Sequence, residues 1–307
     1  MLCSKTIRAW PRRIEAAEPF PHPFRRSFQQ LGLGPEERPC LLYSPRLRFG
    51  RRESTAKLLV WAGQRLACLD ARRGGVVTTV LSLDQVHEVE WGQVLLEAWL
   101  RLVGHGPGGR TVIRVELNAV GLELYKPIAD TARSAAYAGT HLSIGGERPE
   151  LSALARQDHR FVALGEQALL SGVELRRQWF QPRVTGTPWR GRERIRIPAL
   201  LLLVTQAELI LVQEQALGGA ARLGTVWRCL PLRSIQGVAL VSHPAHGALG
   251  LHVALPEDSE VRAAVDPAGA GALRAFLQET DPRWGTPMAV PGPARTAFDP
   301  FAEAPPP

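Results

Sequence analysis

The sequence predicts a mainly β, α+β protein made of two copies of one unit, each about seven short antiparallel strands closed by a C-terminal helix. Three observations predict it. A stretch of the first half recurs in the second, each half alternates short apolar runs with turn chemistry, and each half ends in a capped apolar segment.

The recurrence is legible in "EERPCLLYSPRLR" (Glu36 to Arg48) set against "VELRRQWFQPRVT" (Val173 to Thr185). Extended to Phe24–Leu47 and Phe161–Val184, the gapless comparison pairs Phe24/Phe161, Gln30/Gln167, Leu33/Leu170, Glu37/Glu174, Pro45/Pro182 and Arg46/Arg183 as identities. After a short insertion "LLVWAGQRLACLD" (58–70) faces "LLLVTQAELILVQ" (201–213). After another, "VVTTVLSLDQVHEV" (76–89) faces "TVWRCLPLRSIQGV" (225–238). Order is kept and the insertions fall where loops are expected, as in a duplication.

Within the first copy the strands are expected near 39–48, 57–62, 65–70, 76–83, 86–91, 94–103 and 110–117, with turns at Gly63, Gly74, Gly75 and "GHGPGG". Asn118 and Asp266 follow the last strand of each copy and suit helix N-caps. The helix after Asp266 has Pro267 at its start and a stripe of Ala272, Leu273, Phe276 and Leu277. Its counterpart after Asn118 contains Pro127, which predicts a kink or an early end.

Two stretches resemble the pleckstrin-homology-like (PH-like) family, including its bacterial and GRAM-type relatives. "LLVWAGQRLACLD" is similar to that family's Leu-Leu-x-Thr-x-x-x-Leu strand pair, with Thr205 in the threonine place only in the second copy. "LSLDQVHEV" and "LPLRSIQGV" are similar to its φ-Pro-Leu-x-x-Ile-x-x-Val strand. The resemblance implies two tandem small β-barrels. The domain plan is then an N-terminal arm 1–23, PH-like domains 24–140 and 160–280, a linker 141–159 with a short helix near Leu151, and a disordered proline-rich tail 281–307. That tail carries "FDPF", which reads as solvated chain rather than a docking peptide.

Composition bounds the function. With 307 residues, 45% hydrophobic and 21% charged, the chain has room for two globular domains. The net charge of +8 rests on 37 basic residues, of which only Lys5, Lys57 and Lys126 are lysines. Such a skew reads as genome-wide arginine use, so clusters matter more than the total, and no nucleic-acid partner is expected. The four cysteines share no metal-ligand spacing, the N-terminus lacks a signal-peptide core, and no apolar run is long enough for a membrane span. A cytoplasmic location, with peripheral membrane attachment as an alternative, is the expectation.

Residue patterns for catalysis are weak. Gly104, Gly106 and Gly109 spell G-x-G-x-x-G, but a strand rather than a helix follows, so a hairpin turn is expected. His243, His246 and His252 lack a spaced third type of ligand, and no metal or cofactor is expected. Asp84, His87 and Glu88 form the best acid/base cluster, but nothing supplies a nucleophile or oxyanion donor. Their places in the second copy hold Arg233, Gln236 and Gly237, as solvent-facing positions allow. No enzyme and no small-molecule substrate are expected.

The positive feature is the first loop of each copy. "PRLRFGRRESTAK" holds Arg46, Arg48, Arg51, Arg52 and Lys57, and "PRVTGTPWRGRERIRI" holds Arg183, Arg190, Arg192, Arg194 and Arg196. In PH domains that bind phosphoinositides this loop carries a basic patch, so the resemblance implies an anion or headgroup site. The competing reading is arginine-rich solvated hairpins. The sequence favours a non-catalytic adaptor with a protein partner, and an anionic-membrane binder is the alternative.

Overall fold

The computed structural model describes residues 10–15, 20–33, 37–49, 52–137, 151–189, 192–217, 222–243 and 248–284. The chain divides into two compact units, Met1–Ala138 and Gly139–Pro307.

Unit 1 begins with β1 (Arg12–Arg13), a 3-10 turn (His22–Phe24) and α1 (Arg25–Gln29), followed by β2 (Cys40–Ser44). A small hairpin of β3 (Arg48–Phe49) and β4 (Arg52–Glu53) leads to β5 (Ala56–Ala62), β6 (Arg65–Arg72) and β7 (Gly75–Ser82). The first sheet is antiparallel in the order β1-β2-β5-β6-β7. Leu58, Leu59 and Val60 are all buried, because both faces of this sheet are covered. Leu58, Val60, Ala67 and Leu69 meet Ile14, Phe24 and Leu31 on one side. That two-sided burial is why β5 reads as a continuous apolar run rather than an alternating one.

A 3-10 turn (Leu83–Gln85) opens the second meander, β8 (Val86–Val94), β9 (Glu97–Gly106) and β10 (Gly109–Asn118). The Asn118 side chain accepts from Val120 N at 3.1 Å and caps a 3-10 turn running into α2 (Leu122–Ser134). The early end expected at Pro127 does not occur. Pro127 and Glu123, whose carbonyl it leaves without a helical donor, both lie on the exposed face of the helix, which continues to Ser134.

Unit 2 repeats this order. After α3 (Ser152–Ala155) and α4 (His159–Ala168) come β11 (Leu175–Gln181), a hairpin of β12 (Val184–Trp189) and β13 (Arg192–Ile197), then β14 (Leu200–Thr205), β15 (Glu208–Leu217) and β16 (Arg222–Pro231). Strands β11, β14, β15 and β16 pair in that order, all antiparallel. A three-stranded sheet follows, β17 (Gly237–His243), β18 (Ala248–Ala254) and β19 (Glu260–Val265), and then α5 (Ala270–Thr280), led by a 3-10 turn that Asp266 caps through Ala268 N at 3.1 Å. Gly165 lets α4 lie close on the sheet, since a Cβ there would sit 3.1 Å from Leu201 and 2.8 Å from Leu151.

The core strand pairs of the two units share one register. Tyr43 faces Leu58 as Phe180 faces Leu201, Leu59 faces Cys68 as Leu202 faces Leu211, and Leu66 faces Leu81 as Leu209 faces Leu230. Leu83 N donates to Gln64 O at 2.7 Å, and Leu232 N donates to Ala207 O at 2.7 Å. Each unit also ties the first of its four core strands, β2 or β11, to its last strand. Ser44 Oγ donates to the Glu116 carbonyl at 2.8 Å, and Gln181 Nε2 donates to the Ala264 carbonyl at 3.4 Å while its Oε1 accepts from Asp266 N at 2.7 Å.

Several expectations need correction. Among the described residues no sheet closes into a barrel; each unit holds a larger and a smaller antiparallel sheet, because the strand pairing stops at β7 in the first sheet of unit 1. The arm expected at 1–23 contributes to unit 1, where β1 pairs with Leu42 and Tyr43 and Ile14 is buried. The short helix expected near Leu151 in the linker is present as α3, but Leu151 and Leu154 are buried, so this end of the expected linker is packed chain; 141–150 lie outside the described residues. The tail expected from 281 starts with packed chain: Trp284 joins the core of unit 2 beside Phe276 and Leu277, and its N donates to Asp281 O at 2.8 Å. Trp284→Ala should therefore lower the stability of unit 2 by about 3–5 kcal/mol in urea unfolding. The rest of the tail, "FDPF" included, lies outside the described residues.

Candidate functional site

The first loop of unit 1 leaves β2 at Ser44 and is pinned by Ser54, whose N donates to Leu47 O at 2.9 Å and whose Oγ accepts from Leu47 N at 3.1 Å. Arg46 pairs with Glu53 at 2.5 Å, both side chains being largely exposed, and Arg48 is exposed. Lys57 is different: its side chain is only 12% exposed and Nζ donates to Glu116 Oε2 at 3.1 Å. Burial pushes the Glu116 carboxyl up, but Lys57 and Arg114 outweigh it and hold the group below its ordinary range. Arg51 and the side chain of Arg52 lie outside the described residues.

In unit 2 Arg183 grips Glu214 with both arms of its guanidinium, Nε to Oε2 at 2.9 Å and Nη2 to Oε1 at 2.6 Å. Arg160 adds a contact at 2.8 Å and Ala199 N donates at 3.3 Å. The carboxylate is 2% exposed; burial raises its pKa, and Arg183, Ala199 N and Arg160 together bring it below the ordinary value of 4.5. Arg190 and the side chains of Arg192 and Arg194 lie outside the described residues, while Arg196 is exposed on β13. Lys57 and Arg183 are thus held by internal acids, and the sequence could not reveal this because Glu116 and Glu214 lie far along the chain.

The acid/base cluster does not face solvent as expected. Asp84 is exposed, but His87 and Glu88 are buried: the β8–β9 register shifts between Val86 and Glu88, so the alternation assumed from the sequence breaks at His87. Glu88 pairs with Arg101, and Trp99 Nε1 donates to Glu90 Oε1 at 2.7 Å. His252 Nδ1 faces the Glu260 carboxylate, and His246 and the side chain of His243 lie outside the described residues. Among the described residues no group of three His, Cys, Asp or Glu side chains is placed to hold a metal. "GHGPGG" forms the β9–β10 hairpin, with Gly109 at φ 97°.

Sequence reasoning missed an apolar tip. β8 and β9 join through Leu95 and Leu96, which are 63% and 64% exposed, and Leu95 has φ 54°. Two-residue hairpins that need positive φ normally use Asn-Gly, and a non-glycine residue in the left-handed region costs about 1–2 kcal/mol. Ala119 N donates to Leu96 O at 2.9 Å, which brings Val120, 61% exposed, and Leu124 one turn on into the same neighbourhood. With no glycine or asparagine to mark it, "VLLEAWL" read as unbroken strand from 94.

Among the described residues no helix is long and apolar enough to cross a membrane. No protein-family model matches the chain, and no curated protein matches it.

Proposed function

We propose that the chain is a non-catalytic protein-interaction adaptor of the cytoplasm, built from two duplicated PH-like units in open rather than closed form. The observation that carries the reading is the Leu95–Leu96 tip, where two leucines stand in solvent at a backbone cost, beside Val120 and Leu124. The duplicated PH-like organisation is supported by the shared strand register and by the order of four core strands, three strands and a capped helix in both units. The commitment of Lys57 and Arg183 to internal acids weakens the alternative, in which the first loops bind anionic lipid headgroups.

Two measurements test it. Captures from lysate with the wild type and with Leu95→Ser/Leu96→Ser should differ by the loss of a specific protein partner, with the circular dichroism spectrum unchanged. Acidic vesicles should not pellet the chain at 150 mM salt. Salt-sensitive pelleting that disappears when Arg51, Arg52, Arg192 and Arg194 are replaced together by Gln would instead establish the membrane reading, since headgroup attraction is about 1 kcal/mol per arginine and decays over a Debye length.

A further inference from the structure

Strand β7 ends its sheet and, among the described residues, pairs with β6 alone. Its sequence, "GVVTTVLS", has no charge and no proline over eight residues and is rich in β-branched side chains. Native edge strands are usually blunted by charge, proline, a bulge or a cover. β7 carries no charge, proline or bulge, and its ladder with β6 runs without a register shift from Arg65/Ser82 to Arg72/Gly75; the β9–β10 hairpin packs on its C-terminal half, which leaves the half from Gly75 to Thr79 as the edge in question.

The ladder fixes which backbone groups face out. Leu83 N donates to Gln64 O, so the facing pair Arg65/Ser82 is a non-hydrogen-bonded one and the bonded pairs are Leu66/Leu81, Cys68/Thr79 and Asp70/Val77. The N–H and C=O of Val76, Thr78, Val80 and Ser82 therefore point away from β6. At the far end of this row the β9–β10 hairpin comes near: a Cβ on Gly106 would sit 3.0 Å from the Val80 carbonyl. Toward the start, Val77 and Thr78 are exposed.

Between the end of β7 and that hairpin lies a cavity of about 770 Å³, lined by Glu37, Arg38, Arg65, Val80, Ser82 and His105 among others. This volume is within the range of small-ligand and peptide sites. The edge of β7 and the cavity are continuous, because Val80 and Ser82 belong to both. Arg38 and Arg65 are exposed, and these two cations outnumber the one carboxylate of the lining, Glu37.

We infer that β7 is a docking edge for an extended segment of a partner protein, which adds a strand through Val76 and Thr78 and places an acidic residue in the cavity beside Arg38 and Arg65. This deepens the adaptor reading, on which it rests, by naming the form and charge of a partner segment. Main-chain bonds supply affinity in such strand addition and alternate side chains supply selectivity. A second copy of this chain suits the edge less well. Antiparallel pairing of two β7 strands centred on Thr78 sets Gly74 opposite Ser82, which carries Arg73 of one copy toward Arg38 and Arg65 of the other, a like-charge contact.

Random dodecapeptides displayed on phage and selected on the full chain test the inference. Selected peptides should share an apolar or β-branched alternation with an acidic residue at one end. Their synthetic forms should slow hydrogen exchange at the Val76 and Thr78 amides, which exchange quickly in the free chain. Thr78→Pro removes an outward N–H that β6 does not use, so it should weaken binding at least tenfold with the fold retained, and Arg38→Gln/Arg65→Gln should remove the preference for the acidic end. Selection of no peptide, peptides that bind Thr78→Pro as well as wild type, or a chain dimer that Thr78→Pro dissolves would each overturn it. Because Leu95→Ser/Leu96→Ser leaves β7 untouched, failure here and failure of the adaptor reading at the tip are separate results.

Discussion

Phe161→Ala is expected to lower the stability of unit 2 by about 3–5 kcal/mol, measured as a shifted urea midpoint with unchanged slope. The ring is fully buried, its centroid is 5.0 Å from that of Phe180, and it anchors α4 on the outer face of the first sheet of its unit. Phe24, set opposite Phe161 by the sequence repeat, is likewise fully buried and contacts Tyr43 edge-on at 6.3 Å, so Phe24→Ala should cost unit 1 a similar amount. A loss under about 1 kcal/mol at either position would mean that the preceding helix is not part of the unit.

The second large effect lies at Glu214. Its carboxylate is buried among Arg183, Arg160 and Ala199 N, and breaking a buried charge cluster by removing one partner costs about 3 kcal/mol or more. Glu214→Gln, which keeps the shape and removes the charge, should show that loss at pH 7. The pH dependence follows from the lowered pKa. With the folded carboxyl below its ordinary 4.5, the native state binds fewer protons than the unfolded state just beneath that pH. Its contribution is thus complete above about 4.5 and is lost as pH falls through the folded value. The wild type should lose more stability than Glu214→Gln between pH 5 and 3, and parallel curves would refute the assignment.

Local chemistry was legible in the sequence where it follows from residue type. Leu58, Leu66 and their counterparts Leu201 and Leu209 announce buried strands by apolar runs, and Asn118 and Asp266 announce helix starts through their short acceptor side chains. What depends on distant chain was not. Nothing near Lys57 or Arg183 names Glu116 or Glu214 as partner, and the loop arginines read as free for that reason. α4 carries no apolar run like those that mark the strands; its sequence signal is the N-cap Asp158, which accepts from Arg160 N and Phe161 N. Trp284 was hidden in a proline-rich stretch, with Pro282 just before it and the other prolines of the tail from Pro287 on.

The ties from first strand to last set a schedule for the newborn chain. Ser44 and Glu116 are 72 residues apart, and Gln181 and Ala264 are 83 apart. At ribosomal rates of about 5–20 residues per second, roughly 4–14 s pass between the emergence of Ser44 and that of its acceptor. Once β7 has emerged, for the roughly 2–7 s before Glu116 follows, the first sheet of unit 1 has all its strands but no second sheet to cover Leu66 and Leu81, and the uncharged edge of β7 is exposed as well. Closure must wait for β10, so each unit completes its fold only after nearly all of it has left the ribosome.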